Sequence, residues 1–223
     1  MPLFAGLDDI DWGALEHSGG HAADVPRWIR GLLSPDPAIR EEASYEMAVT
    51  VHHQGDIYDS TMAALPFVIE AASLPDRPLR ADLIAWLASV GGGDDLELGE
   101  EHDLPFSRWC ETPGEQQRYL TMRHHGRQAH TIVITQFSLF RRALDDADDE
   151  VRHMAIWALH TCQVERGPEV VAAFQQRFAV ETEPRIRESL VGSLGYMSQW
   201  ASEGRLPGVD GPAIAAWLAS HGL

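Results

Sequence analysis

The stretch Asp148-Asp149-Glu150-Val151-Arg152-His153-Met154-Ala155-Ile156-Trp157-Ala158-Leu159 decides the fold, because its frame recurs along the chain. An acidic residue, three residues and then Arg appears again as Asp36-Pro37-Ala38-Ile39-Arg40, Asp76-Arg77-Pro78-Leu79-Arg80 and Glu183-Pro184-Arg185-Ile186-Arg187. In chain order the four copies begin 40, 72 and 35 residues apart, and the middle step is close to two periods, so one unit there is degenerate or carries an insertion. Apolar residues follow each Arg at offsets three, four and seven: Leu83, Ile84 and Leu87, then Ala155, Ile156 and Leu159, then Leu190, Val191 and Leu194, with a weaker Ala43, Ser44 and Met47 in the first copy. That spacing is helical. An apolar helical stretch also precedes each copy, over Pro26 to Leu33, Met62 to Ser73, Thr131 to Leu144 and Glu169 to Phe178. The unit is therefore helix, short acidic turn, helix. An acid just before a helix, often with Pro after it, satisfies free N–H groups and meets the positive end of the helix dipole. No sustained period-two run competes; Thr131 to Thr135 reads more easily as the start of a buried helix. The expected fold class is all-α.

With these turns in view, the chain resembles the HEAT-repeat family, whose helix pairs of about 40 residues carry an Asp and an Arg at the turn into the second helix. The resemblance covers most of residues 24 to 221. It is narrower for small bacterial HEAT-like proteins in which the first repeat runs into a His-Gln-Gly-x-x-Tyr loop, matched here by His53-Gln54-Gly55-Asp56-Ile57-Tyr58. The resemblance implies one domain over 1–223, a right-handed α-solenoid of about five units with an insertion in the middle. It also implies that Asp36, Arg40, Asp76, Arg80, Asp148, Arg152 and Arg187 form a structural ladder between neighbouring repeats. The departure from pattern spans 91–130. There Gly91-Gly92-Gly93 stops a helix, Asp94 to Asp103 reads as an acidic exposed loop, and Gly114 to Arg127 gathers Arg118, Arg123, His124, His125 and Arg127 into a basic helical insertion or degenerate repeat. Gly211 to His221 is expected to cap the last repeat as a short helix.

Composition narrows the chemistry. The 223 residues hold 34 acidic and 17 basic side chains, for a net charge of -17, which disfavours a nucleic-acid backbone as partner. All the basic residues are Arg, so Schiff-base chemistry and the phosphate-loop Lys are excluded. Asn is absent as well. Cys110 and Cys162 form no CxxC pair, which fits a reducing cytoplasm. Asp8, Asp9 and Asp11 stand where a signal peptide needs a basic start, and no apolar run approaches a membrane span. A cytoplasmic protein with no membrane partner is expected.

Three motifs have ordinary readings. Asp145-Asp146-Ala147-Asp148-Asp149 fits a DDxxD magnesium pattern, yet it occupies a turn that needs an acidic cap. Glu150 and His153 have Glu-x-x-His spacing without the second pair that a di-iron site requires. Gly91-Gly92-Gly93 follows no strand and precedes no Lys. No metal and no cofactor are expected.

The register itself points to a surface. If offsets three, four and seven face the core, then one, two, five, six and nine face outward, on what is usually the concave side of such stacks. Those positions hold Glu41, Glu42, Tyr45 and Glu46, then Asp82, Trp86 and Ser89, then His153, Trp157 and Thr161, and finally Tyr196. Rings and carboxylates together favour a cation or a basic peptide, and the alternative is that the rings pack against the insertion or the next helix. The expected function is a non-catalytic binding module for a basic protein or peptide, with Tyr45, Glu46, His53, Gln54, Tyr58, Trp86, Trp157 and Tyr196 as binding residues. The alternative is a binder of a cationic small molecule, or an enzyme, with its pocket in the same groove and Glu46, His53, Tyr58 and His153 as acid-base or positioning groups. Of the loop, Gly55 is expected at a positive backbone angle, with His53, Gln54 and Tyr58 forming a clasp at the helix end.

Overall fold

Each recurrent Arg turns back on the bend that precedes it. In the computed structural model, which describes residues 2–75, 77–92 and 110–223, Arg40 Nη1 donates to the carbonyls of Ser34 and Pro35 at 2.7 and 3.0 Å, and Arg152 Nη1 to those of Asp146 and Ala147 at 3.0 and 2.9 Å. Arg187 Nη1 does the same to Phe178 and Glu181, both at 2.9 Å, and Arg80 Nε reaches Ala72 O at 3.3 Å. The carbonyls so satisfied lie at the end of the preceding helix or in the bend after it, where backbone acceptors lack helical partners. The acid works at the other side of the bend. Asp36 and Asp148 accept from Ala38 N and Glu150 N at 2.9 Å, so each caps its own helix. Both partners therefore close their own turn first, and among the described residues Arg152 also reaches across to the carboxylate of Glu181 in the next turn. Asp76, Gly93 and the acidic stretch 94–103 lie outside the described residues.

The fourth copy departs from expectation. Glu183 makes no side-chain cap; Glu181, two residues earlier, accepts from Thr182 N and Glu183 N instead.

The chain is predominantly helical and divides into two compact units, 1–133 and 134–223. In the first, α1 (Val25–Gly31) packs on α2 (Pro37–Glu46), and α3 (Asp59–Ser73) on α4 (Arg80–Val90), with α1 beside α3. Close approach of α1 and α2 is set by Gly31, where a Cβ would come within 2.8 Å of the Ala43 side chain. α2 runs on into a π turn, Met47–Val51, and α4 ends at Gly91 and Gly92, the latter at φ 92. A short hairpin of β1 (Glu16–His17) and β2 (Gly20–His21), absent from the sequence reading, is pinned by His17, which accepts from Gly19 N and donates to Asp24, each at 3.0 Å. α5 (Pro113–Ile134) carries the basic cluster and opens with a reciprocal cap, Glu115 N to Thr112 Oγ1 and Thr112 N to Glu115 Oε2.

In the second unit α6 (Phe137–Ala143) pairs with α7 (Asp149–His160), α8 (Gln163–Val180) with α9 (Pro184–Ser202), and α10 (Gly211–Ser220) covers α9. The stretch Thr131 to Leu144 is not one helix. α5 runs through the β-branched residues to Ile134, and α6 starts after Gln136. Offsets three, four and seven do form the core: Leu83, Ile84, Leu87, Ala155, Ile156, Leu159, Leu190 and Leu194 are all buried, and only Ser44 and Val191 are half-buried.

Candidate functional site

The outward offsets of α2 meet the start of α4 in an open groove of about 470 Å3. Tyr45 and Glu41 line it from α2, Leu79 and Asp82 from the other side. Tyr45 leaves 62% of its surface exposed, and a ring so exposed offers its face to a ligand. Neither the Glu41 nor the Asp82 carboxylate makes a hydrogen bond or ion pair among the described residues. Partial desolvation pushes the Asp82 carboxyl above its ordinary range, and a cation seated beside it would bring it back down. Arg40 also borders the groove, but its guanidinium is drawn toward the Ser34–Pro35 turn. Glu42, on the same helix, is paired instead with Arg27 at 2.9 Å.

Trp86 does not belong to this surface. It is 7% exposed, and its Nε1 donates to Met47 O at 3.0 Å, inside the π turn that ends α2. The π turn lets that carbonyl accept from His52 N as well, at 3.2 Å. The outward offset on α4 therefore faces α2 rather than solvent.

The loop after α2 is a clasp, and its central residue is His52, which the sequence reading passed over for His53. His52 is buried, donates from Nδ1 to Asp56 O at 3.1 Å and accepts at Nε2 from Ser89 Oγ at 2.8 Å, edge-on to Trp86. Burial holds its pKa below the ordinary value, in keeping with a neutral ring that both donates and accepts. His53 turns inward to Val49 O at 2.8 Å, Gln54 takes φ 51 and Gly55 takes φ 90. Tyr58 is buried apart from its edge; its hydroxyl donates to Asp56 at 3.3 Å, and Thr61 ties the next turn to Val51 O.

In the second unit Trp157 on α7 and Tyr196 on α9 remain 47% and 36% exposed, as their offsets predict. Tyr196 lies 4.5 Å from the Trp200 ring and 6.2 Å from that of His160. Between Glu150 and His153 stands Arg185, 2.7 Å from the carboxylate and 3.0 Å from Nδ1. The guanidinium occupies the face that a metal would need, and burial followed by the Arg185 charge lowers the His153 pKa. Asp145, Asp146 and Asp148 are likewise committed, to Arg141, to Asp148 N and to Glu150 N.

The four groups of the enzyme alternative are divided between the units, with Glu46, His53 and Tyr58 in the first and His153 in the second. Glu46 accepts from Thr50, His53 donates to Val49, Tyr58 donates to Asp56 and His153 accepts from Arg185, and no hydrogen bond among the described residues joins any two of them. Compared with known proteins, the sequence matches no family model and no curated protein.

The two thiols give a direct check on local packing. Cys162 is fully buried and its pKa is pushed up to about 11, chiefly by that burial, while Cys110 is partly accessible. Iodoacetamide at pH 8 is expected to alkylate Cys110 and spare Cys162 in the folded chain, with both labelled in denaturant. Peptide mapping of a native sample with Cys162 modified first would contradict this packing.

Proposed function

We propose that the chain is a HEAT-like repeat protein, a right-handed stack of helix pairs that acts as a binding module and takes a basic segment of a partner protein in the groove between α2 and α4. The observation that carries this reading is the meeting of an exposed Tyr45 ring with two carboxylates, Glu41 and Asp82, that have no partner of their own among the described residues. An Arg or Lys side chain seated there gains ring-face and charge contacts together, and it relieves the desolvated Asp82. The charge of -17 would speed encounter with such a partner. Trp157 and Tyr196 offer a second, more apolar surface on the other unit.

Selection of displayed random peptides on the immobilised chain tests the idea. Enriched peptides are expected to carry Arg or Lys, and to bind about tenfold or more weakly to Tyr45→Ala and to Asp82→Asn. Both positions are exposed, so the variants should fold normally. Enriched peptides without positive charge, or with equal affinity for both variants, would remove the groove from consideration.

A further inference from the structure

A second cleft in the first unit has a different charge layout. Gly114, Gln117, Arg118, Thr121, Met122 and His125 recur at steps of three and four, so α5 presents one face to it. The opposite wall comes from β1 and the start of α3, with Glu16, Tyr58 and Asp59. Glu16 N donates to Asp59 Oδ1 at 2.8 Å, and this bond holds the two acids on the same wall. The space between the walls is about 360 Å3, within the range of small-molecule sites.

One wall is anionic and the other cationic, yet they are not joined. Neither the Arg118 guanidinium nor the Glu16 carboxylate makes an ion pair or hydrogen bond among the described residues. His125 borders the cleft beside Arg118, with its Nδ1 buried and without a partner among the described residues, so any contact to a ligand falls to the rest of the ring. Burial raises the Tyr58 phenol and Asp56 adds to the rise, while the Arg118 charge opposes both, so the guanidinium is felt across the cleft. A ligand with one charge would satisfy one wall and leave the other as it is. A ligand with both would answer each wall with its opposite.

We propose that this cleft binds a small zwitterion with the charge layout of a free amino acid, its ammonium group held by Glu16 and Asp59 and its carboxylate by Arg118 and His125. Tyr58 lines the cleft as well, and its hydroxyl oxygen can accept from the ammonium while its O–H still donates to Asp56. Met122 leaves an apolar patch for the ligand's side chain.

The test is a calorimetric titration of the 223-residue chain with each of the twenty L-amino acids singly, up to about 10 mM. At least one should saturate a single site. Its decarboxylated amine and its deaminated acid should each bind at least about tenfold more weakly, and so should the amino acid itself to Glu16→Gln and Arg118→Gln. Both substitutions are at exposed positions, so folding should be unaffected, and Glu41→Gln in the other groove should leave the affinity unchanged. The proposal is overturned if none of the twenty binds, if either single-charge analogue binds as well as the parent, if Glu41→Gln weakens binding to the same degree, or if Glu16→Gln and Arg118→Gln bind as tightly as the unmodified chain.

Discussion

Trp86→Ala is expected to lower the free energy of unfolding by about 3–5 kcal/mol, the usual cost of truncating a large buried aromatic. Trp157→Ala, at the neighbouring outward offset of another copy, should cost less than about 1 kcal/mol because its ring is largely in solvent. The difference arises from position and not from chemistry. Trp86 fills the space between α4 and the π turn, and removing it opens a cavity and takes one of two donors from Met47 O. Trp86→Phe helps to separate the two contributions, since it loses the indole N–H but keeps most of the buried ring volume. That variant should fall short of the parent by roughly 1–2 kcal/mol. Urea unfolding followed by circular dichroism reads all three. Equal midpoints for Trp86→Ala and Trp157→Ala would mean that Trp86 is not the buried residue described above.

The same pair of tryptophans shows how far the sequence could be read. Core offsets and turn caps are local features: a 3.6-residue period and an Asp before Pro or Glu need no distant partner, and Asp36, Asp148, Leu83, Ile156 and Leu190 stand where those rules put them. Trp86 failed the same rule because α4 has a second neighbour. A signal was present, for between Leu83 and Val90 the only polar residue is Ser89, and a helix apolar nearly all round is buried on more than one face. α7 instead alternates His153 and Trp157 with its core positions and keeps an open face. His52 was hidden for a related reason: its partners, Asp56 O and Ser89, are brought to it by the loop and by α4. Of the groove, Tyr45, Glu41 and Asp82 were legible from register alone, whereas the zwitterion cleft depends on a hairpin and a helix about 100 residues apart, which no periodicity links.

Glu181→Gln should strongly destabilise the second unit, and its effect should depend on pH. Glu181 is 3% exposed and receives Arg152 Nε at 3.0 Å, Arg177 Nε at 2.8 Å and the backbone N–H groups of Thr182 and Glu183. Burial alone would raise its carboxyl, but the Glu183 N–H, Arg152 and Arg177 outweigh it and bring the pKa down to about 2, from 4.5. A folded-state value below the unfolded one means that the unfolded chain takes up the proton first, so stability falls as pH falls. The contribution, about 3 kcal/mol from a shift of this size, is complete above pH 5 and is lost as the pH drops through the window from about 4.5 to 2. Gln keeps an acceptor oxygen but adds donors that face Arg152 and Arg177, and it leaves Arg152 nearly buried without its counter-charge. Near neutral pH the variant should therefore be about 3–5 kcal/mol less stable than the parent. Measured by urea unfolding from pH 7 to pH 2, the gap between parent and variant should narrow steadily below pH 5, because the parent loses at low pH what the variant never had. A gap that stays constant across that range would assign the loss to packing, and Glu181 would then hold the turn by shape and not by charge.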